Sequence, residues 1–338
     1  MKLSRYFRPI MNTESIYPAD AIFLGSTSLW FNAVKVFERG KVPIIVNATE
    51  IPFEIKSQLS ANRGKILGIE KKPPLLMGVL NVSPDSFSDG YKAREPYDLL
   101  KRINKMVDEG VDIIDIGGES TRPGFTSISS DAEKNRIDEA IRLVRKNFPN
   151  LLVSIDTRKA SVAEHALSLG AKIFNDVSSL SFDPESIEVT KKFGSFVCIM
   201  HNSGAGKDLH KRIMGKDFLL DIFDYLRERI EFAVSGGISR SKIIIDPGIG
   251  FGKTEEQNLA ILSNISLFHS LACPILVGVS RKKFIGRITG ENKPEDRLVG
   301  SVLAAGELAK QGVQIVRVHD IKETNQVMNM LYKLRTAD

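Results

Sequence analysis

From Leu75 to the C-terminus the chain alternates between short apolar runs, rich in Val, Ile and Leu, and longer stretches whose apolar positions recur at helical spacing. The apolar runs are Leu75–Val82, Asp112–Gly118, Leu151–Thr157, Lys172–Ser178, Ser195–Met200, Lys242–Pro247, Pro274–Ser280 and Ile315–His319. Most are apolar almost without interruption, which is the pattern of parallel strands covered on both faces. The segments between them read as helices: Glu95–Glu109, Asp131–Asn147, Lys159–Leu169, Asp183–Phe193, Asp217–Ser235, Glu255–Leu271, Arg297–Gln311 and Ile321–Arg335. Gly110, Gly170, Gly194, Gly236 and Gly312 each follow a helix, as C-terminal glycines do. Eight strand–helix units in succession predict a (β/α)8 barrel.

Residues 1–73 lack this rhythm. Ala21–Leu24 and Val42–Val46 read as strands, Leu29–Arg39 as a helix, and the Ser60–Gly64 and Lys71–Pro74 stretches as punctuation. The pattern predicts a small N-terminal α/β extension over 1–73, joined to a barrel over 74–338. The extension carries no phosphate loop, metal-ligand cluster or catalytic constellation, so packing on the barrel or oligomer contact is its expected role.

Polar residues able to bind or catalyse stand at the C-terminal end of nearly every apolar run, where a barrel builds its active site. Asn81 opens the turn-rich Asn81–Gly90 loop; its carboxamide oxygen suits Mg2+, and Phe87 suits a closing lid. Gly117–Gly124 carries Arg122, whose planar fork matches phosphate oxygens, although a surface Arg in a turn reads equally well. Asp156 and Asp246 lie deep in apolar runs, where an unpaired charge is costly, so a ligand with N–H donors would suit them. Asn175 and Asp176 end the fourth run, and an isolated Asp at such a place is often only a helix cap. Ser280-Arg281-Lys282 follows the seventh run, and Arg317 and His319 alternate along the eighth, so both point the same way. His201 ends the fifth run without an evident partner set, and His165, His210 and His269 read as structural or surface residues.

Composition narrows the field. With 338 residues and 42% hydrophobic content the chain can bury a barrel core, and its net charge of +6 favours anionic partners or simply solubility. No aromatic-interleaved basic cluster supports nucleic acid, no run approaches the ~20 apolar residues of a membrane span, and no apolar leader follows the first residues. Two cysteines without a CxxC pair fit a reducing cytoplasm, and the GxG elements do not follow a dinucleotide-binding pattern.

The motifs Asn81-Val-Ser-Pro-Asp-Ser-Phe-Ser-Asp-Gly, Asp115-Ile-Gly-Gly-Glu-Ser-Thr-Arg-Pro-Gly, Ser154-Ile-Asp-Thr, Phe174-Asn-Asp-Val, Asp246-Pro-Gly-Ile-Gly-Phe-Gly-Lys, Ser280-Arg-Lys and Arg317-Val-His-Asp stand in order. Together they resemble the dihydropteroate synthases of folate biosynthesis over about residues 75–335. The resemblance implies a cytoplasmic, homodimeric TIM-barrel transferase and sulfonamide target. It would join 6-hydroxymethyl-7,8-dihydropterin pyrophosphate to 4-aminobenzoate, giving 7,8-dihydropteroate and pyrophosphate. It implies that Asn81 holds Mg2+ with the pyrophosphate, and that Arg122, Arg317 and His319 hold pyrophosphate oxygens. Asp156, Asn175, Asp246 and Lys282 would read the pterin, with Met200 and Phe251 close by. Thr121, Pro123 and Ser280 would shape the aminobenzoate pocket, with Phe87 in the closing loop. Asp156, Arg122, Lys282, Arg317 and His319 would carry the chemistry. Asn202-Ser203-Gly204 stands after His201 where the family usually has Met-Gln-Gly. A corrinoid methyltransferase domain and a non-catalytic pterin binder share parts of this pattern, but neither needs the anion-binding set.

Overall fold

A computed structural model describes residues 3–25, 27–61, 67–69, 74–82, 96–121, 126–204, 208–213 and 215–336. The predicted strands appear as β6 (Leu75–Asn81), β7 (Ile113–Gly117), β8 (Leu152–Asp156), β9 (Ile173–Asp176), β10 (Phe196–Met200), β11 (Ile243–Asp246), β12 (Leu276–Gly278) and β13 (Ile315–Val318). They form one sheet in the order β11-β10-β9-β8-β7-β6-β13-β12, all neighbours parallel, and a parallel bridge between Ile245 and Ile275 closes it. The helices α2 (Pro96–Asp108), α3 (Ser130–Asn147), α4 (Ala160–Ser168), α5 (Ser186–Phe193), α6 (Phe218–Ser235), α7 (Glu255–Ser263), α8 (Lys283–Thr289), α9 (Leu298–Lys310) and α10 (Ile321–Arg335) lie between the strands or follow the last.

Every strand is buried on both faces, and its two faces have different partners. Ile114, Ile116, Val153, Ile155, Phe174, Val197, Ile199, Ile243, Ile245, Val277 and Val316 join the main core between sheet and helices. The residues in the other phase, Leu75, Met77, Ile113, Ile173, Cys198, Ile244, Leu276 and Ile315, form a separate cluster inside the barrel. Leu67 belongs to this cluster and Ile69 packs on it, so the end of the N-terminal extension plugs the barrel mouth opposite the strand C-termini. Stepping two residues along a strand stays on one face. The inward positions beyond the apolar cluster are therefore Asn81, Asp115, Asp156, Asn175, Met200, Asp246, Ser280, Arg317 and His319.

Helix boundaries follow local chemistry. Ser129 caps α3 by accepting from the Ala132 N–H at 3.2 Å, and Thr254 and Gln257 form a capping box at α7. Gly194 ends α5 in the left-handed conformation; after α6 it is Gly237, not Gly236, that takes it. The predicted helix Glu255–Leu271 breaks at Asn264 and continues as a 3-10 segment, Ile265–Leu271, whose residues are all buried. There Ser266 Oγ donates to the Pro9 carbonyl at 2.8 Å, so contact with the N-terminal extension competes with helical continuation. The helix α8, which precedes Arg297, was not predicted; it is short and carries Gly286 in its middle.

The extension is mainly β. Strands β1 (Tyr6–Pro9), β4 (Ala33–Phe37) and β5 (Ile44–Asn47) make an antiparallel sheet in the order β1-β4-β5, and β2 (Ile22–Phe23) pairs with β3 (Trp30–Phe31). The helix α1 (Phe53–Ser60) completes it. The predicted helix Leu29–Arg39 is thus overturned. Val34 and Val36 are buried while Ala33, Lys35 and Phe37 are half-buried, a two-residue period in a segment containing β-branched residues. The expected packing on the barrel is present. Tyr6 donates to Asp224 of α6 at 2.7 Å, and Arg39 pairs with Asp221 and Asp224 at 2.7 and 2.6 Å.

Candidate active site

At the strand ends Arg317 is the central group. Its Nε donates to Asp115 Oδ2 at 2.7 Å and its Nη2 to Asp156 Oδ2 at 2.8 Å, bridging inward positions on β7 and β8. Asn175 Nδ2 donates to the same Asp115 oxygen at 3.1 Å. Asp115 is fully buried; Asp115 Oδ1 and Asp156 Oδ1 have no hydrogen-bond partner and are closed off from solvent. Two such acceptors in one cavity demand donors, which a ring bearing N–H groups supplies. Gly117 lies between Asn81 and Asp156: a Cβ built there would be in ordinary contact with Asn81 Oδ1 at 3.4 Å and Asp156 Cβ at 3.7 Å. Asn81 and Asp156 therefore flank one glycine.

The second half of the site is built on β11 and β12. Asp246 Oδ1 accepts from the Gly248 N–H at 2.7 Å, which aims the carboxylate back into the barrel. Lys282 reaches over the Phe251 ring with Nζ 4.7 Å from its centroid. Arg281 adopts a left-handed backbone (φ 58°) and pairs outward with Asp320 at 2.6 Å, so the turn sends Lys282 inward and Arg281 away. Met200 packs with Val177, Leu209 and Phe251, an apolar wall suited to a flat ring. Ser280 Oγ accepts from the His319 backbone N–H at 3.2 Å and lies 3.0 Å from His319 Nδ1. With the hydroxyl proton directed to Nδ1, the imidazole carries its N–H on Nε2.

Burial governs the charges. It raises Asp156 to about 7, against the pull of Arg317 and with Asp115, Glu133 and Asp176 adding like charge. It raises Asp246 to about 6 despite the Gly248 N–H and Lys282, and lowers Lys282 to about 8 although Asp246 draws it back. Burial also opposes the charge of Arg317, but Asp115 and Asp156 outweigh it and hold its proton more firmly. Three desolvated carboxylates thus face desolvated cations in one cavity, the arrangement from which a polar ligand takes over partners.

The predicted residues Asn81, Asp156, Asn175, Met200, Asp246, Phe251, Ser280, Lys282, Arg317 and His319 converge at this end of the barrel. Thr121 lies above β7, half-buried. Phe87, Arg122 and Pro123 lie outside the described residues. Asp176 turns the other way and accepts from Ser178 N at 2.7 Å and Leu180 N at 2.7 Å, holding its own loop. Arg317 differs from expectation in being committed to two carboxylates.

Sequence reasoning left several groups without a role. Asp115 stood in a quoted motif, yet its phase, two residues past Ile113, marks it as inward-facing. Lys159 Nζ reaches Glu119 Oε1 at 2.8 Å, Glu133 Oε2 at 2.7 Å and the Ile128 carbonyl at 2.7 Å, using all three of its donors. Glu119 Oε1 also accepts from Ser127 Oγ at 3.0 Å and Ile128 N at 2.9 Å, so one oxygen gathers both ends of the loop after β7. Lys253 Nζ contacts His201 Nδ1 at 3.1 Å and donates to the carbonyls of Gly248 at 2.7 Å and Phe251 at 3.0 Å. Burial and Lys253 keep His201 neutral, and burial lowers Lys253 to about 7. Asn202, at the departure from the family pattern, donates to the Val177 carbonyl at 2.7 Å. Among the described residues no group of three or more His, Cys, Asp or Glu could hold a metal ion, and no helix is long and apolar enough to cross a membrane.

Comparison with known proteins identifies the family. Residues 77–319 match the family of pterin binding enzymes. Dihydropteroate synthase of Escherichia coli K12 is 39% identical over 258 residues, covering 76% of this chain and 90% of that protein. The Yersinia pestis dihydropteroate synthase, solved with a sulfonamide drug, superposes with a TM-score of 0.73 at 38% identity, over 78% of this chain and 95% of that one. The Xanthomonas albilineans dihydropteroate synthase with 4-aminobenzoic acid gives 0.72 at 35% identity, over 78% and 93%. The chain belongs to the pterin-binding enzymes, and within them to the dihydropteroate synthases, transferases of folate biosynthesis.

Proposed function

We propose that the side chains gathered at the strand ends divide the dihydropteroate synthase reaction between a pterin floor and a cationic wall. Asp246, Asn175, Asp156 and Lys282 recognise the ring edge, while Met200 and Phe251 cover its faces. Arg317 and His319 face the pyrophosphate, and Arg122 is assigned to it by its place in the family motif. The observation that carries this reading is the Asp156–Arg317–Asp115–Asn175 cluster, with two buried carboxylate oxygens left without donors.

The pterin methylene loses pyrophosphate as its C–O bond breaks and the electron pair leaves with oxygen. Arg317 and His319 stabilise the growing negative charge. The positive charge left on the pterin delocalises into the ring, where Asp156 stabilises it through a ring N–H. The 4-aminobenzoate nitrogen then attacks with its lone pair, forming the C–N bond, and loses one proton. An arylamine is nucleophilic without prior deprotonation, so its attack needs no general base beforehand. Thr121 and Ser280 shape the amine pocket, and Pro123 and Phe87 are assigned to it by their places in the family motifs.

Mg2+ fits the donors present: it takes oxygen ligands and substrate phosphates while keeping waters, and Asn81 Oδ1 beside Asp156 would hold it. When bound it supplies positive charge to the leaving pyrophosphate. A homodimer is supported by Leu259, Ile288, Val299 and Leu303, exposed apolar residues on α9 and on α7 and α8, which each pack against it. The buried free thiols of Cys198 and Cys273 suit a reducing cytoplasm.

A pyrophosphate-release assay tests the reading. Purified enzyme with both substrates should release one pyrophosphate per 7,8-dihydropteroate formed; release without product, or no release, would sink it.

A further inference from the structure

His210 has a role that its sequence context hides. It lies in the segment after β10, and its Nε2–H donates to the Thr121 carbonyl at 2.9 Å, across to the loop after β7. Its ring lies flat on Phe251 of the loop after β11, with centroids 5.2 Å apart and planes 8° from parallel. One imidazole therefore spans three strand-end loops.

The backbone that carries the ring is anchored as well. The His210 backbone N–H donates to Asp208 Oδ1 at 3.0 Å, and the preceding Leu209 is buried with Val177 and Met200. The two loops it joins are themselves anchored. The Lys159–Glu119–Glu133 cluster fixes the loop after β7 at Glu119, two residues before Thr121. Lys253 fixes the Phe251 carbonyl at 3.0 Å. His210 bridges two rigid bases at the points where they turn toward ligand.

We propose that His210 is a positioning residue: its bond to Thr121 sets the 4-aminobenzoate side of the pocket against the Phe251 ring on the pterin side. This rests on the assignment of Thr121 to the amine pocket and Phe251 to the pterin floor. The bond carries the effect and the stack orients the ring. An N–H donor at position 210 is the requirement, since the Thr121 carbonyl has to be held by a donor.

The test is steady-state kinetics in both substrates for His210→Ala, His210→Gln, His210→Phe and Thr121→Ala. Loss of one neutral hydrogen bond should raise the KM for 4-aminobenzoate about five- to tenfold in His210→Ala, with the KM for pterin pyrophosphate changed by less than about twofold. His210→Gln, which keeps an N–H donor, should restore most of the affinity; His210→Phe, which keeps only an aromatic face, should not. Equal rises in both KM values, no rise, or rescue by Phe and not by Gln would overturn the proposal. Thr121→Ala separates the two levels. If it raises the 4-aminobenzoate KM while His210→Ala does not, the His210 role fails alone. If neither variant moves that KM, the assignment of the loop fails with it.

Discussion

The two ends of the barrel interior use the same strands and the same face for opposite purposes. At the end plugged by Leu67, the inward residues are Leu75, Met77, Ile113, Ile173, Cys198, Ile244, Leu276 and Ile315, all buried and in mutual contact. Two residues further on, about 7 Å along each strand, the same face presents Asp115, Asn175, Asp246 and Arg317. The first layer needs no partner beyond its neighbours. The second layer leaves carboxylate oxygens without donors, and burial there raises the pKa of Asp246 and of the adjoining Asp156. Apolar packing and eight paired strands hold the backbone, so side chains at the open end can sit in an arrangement that is unfavourable until a ligand arrives.

Five measurements would break or sharpen this contrast. The largest effect is expected from Asp156→Ala at the polar end: kcat should fall at least about a hundredfold with the circular dichroism spectrum unchanged. A near-normal rate would remove the cation-stabilising role. Ile113→Ala, at the apolar end of the neighbouring strand, should do the reverse. It should cost about 2–5 kcal/mol of stability in denaturant unfolding while the rate per folded molecule stays the same. A loss of rate with no loss of stability would show that the two layers are not separable.

Arg317→Ala removes the bridge between Asp115 and Asp156. Product inhibition by pyrophosphate should weaken about tenfold or more, the effect of one charge-assisted hydrogen bond; unchanged inhibition would place the leaving group elsewhere. The smallest effect is the pH profile. Asp246 must be ionised to accept from the pterin, and Lys282 must be protonated. Because Asp156 must also be a carboxylate, the kcat/KM for pterin pyrophosphate should rise between about pH 6 and about pH 7 and fall above about pH 8. The stability of the free enzyme should run against the acid limb. Because the folded state holds Asp246 and Asp156 protons that the unfolded chain has already released, these groups make stability fall as pH rises from about 4 to about 7. Stability rising over that window would mean that these carboxylates are not desolvated.

Much of the barrel could be read from hydrophobic pattern. The eight predicted runs and the observed strands agree to within two residues at each end because parallel strands buried on both faces leave a continuous apolar signal. The extension was less legible: in Leu29–Arg39 a short mixture of Trp, Phe, Val and Ala fits either period, and pairing with β1 and β5 decided for strands. The partners of His210, the Thr121 carbonyl and the Phe251 ring, could not be read from the sequence because they are distant along the chain and one of them is backbone.

The chain by itself determined the order of strands and helices, the inward phase of each strand, and the residue types offered at each strand end, since these depend on local periodicity. It also carried enough ordered motifs to identify the family. Only the tertiary structure decided which groups meet: that Arg317 joins Asp115 to Asp156, that Lys253 joins His201 to the Phe251 carbonyl, and that Lys159 closes the loop after β7. Those pairings depend on strand register and loop closure across the barrel. Contacts between residues far apart along the chain leave no periodic trace in it.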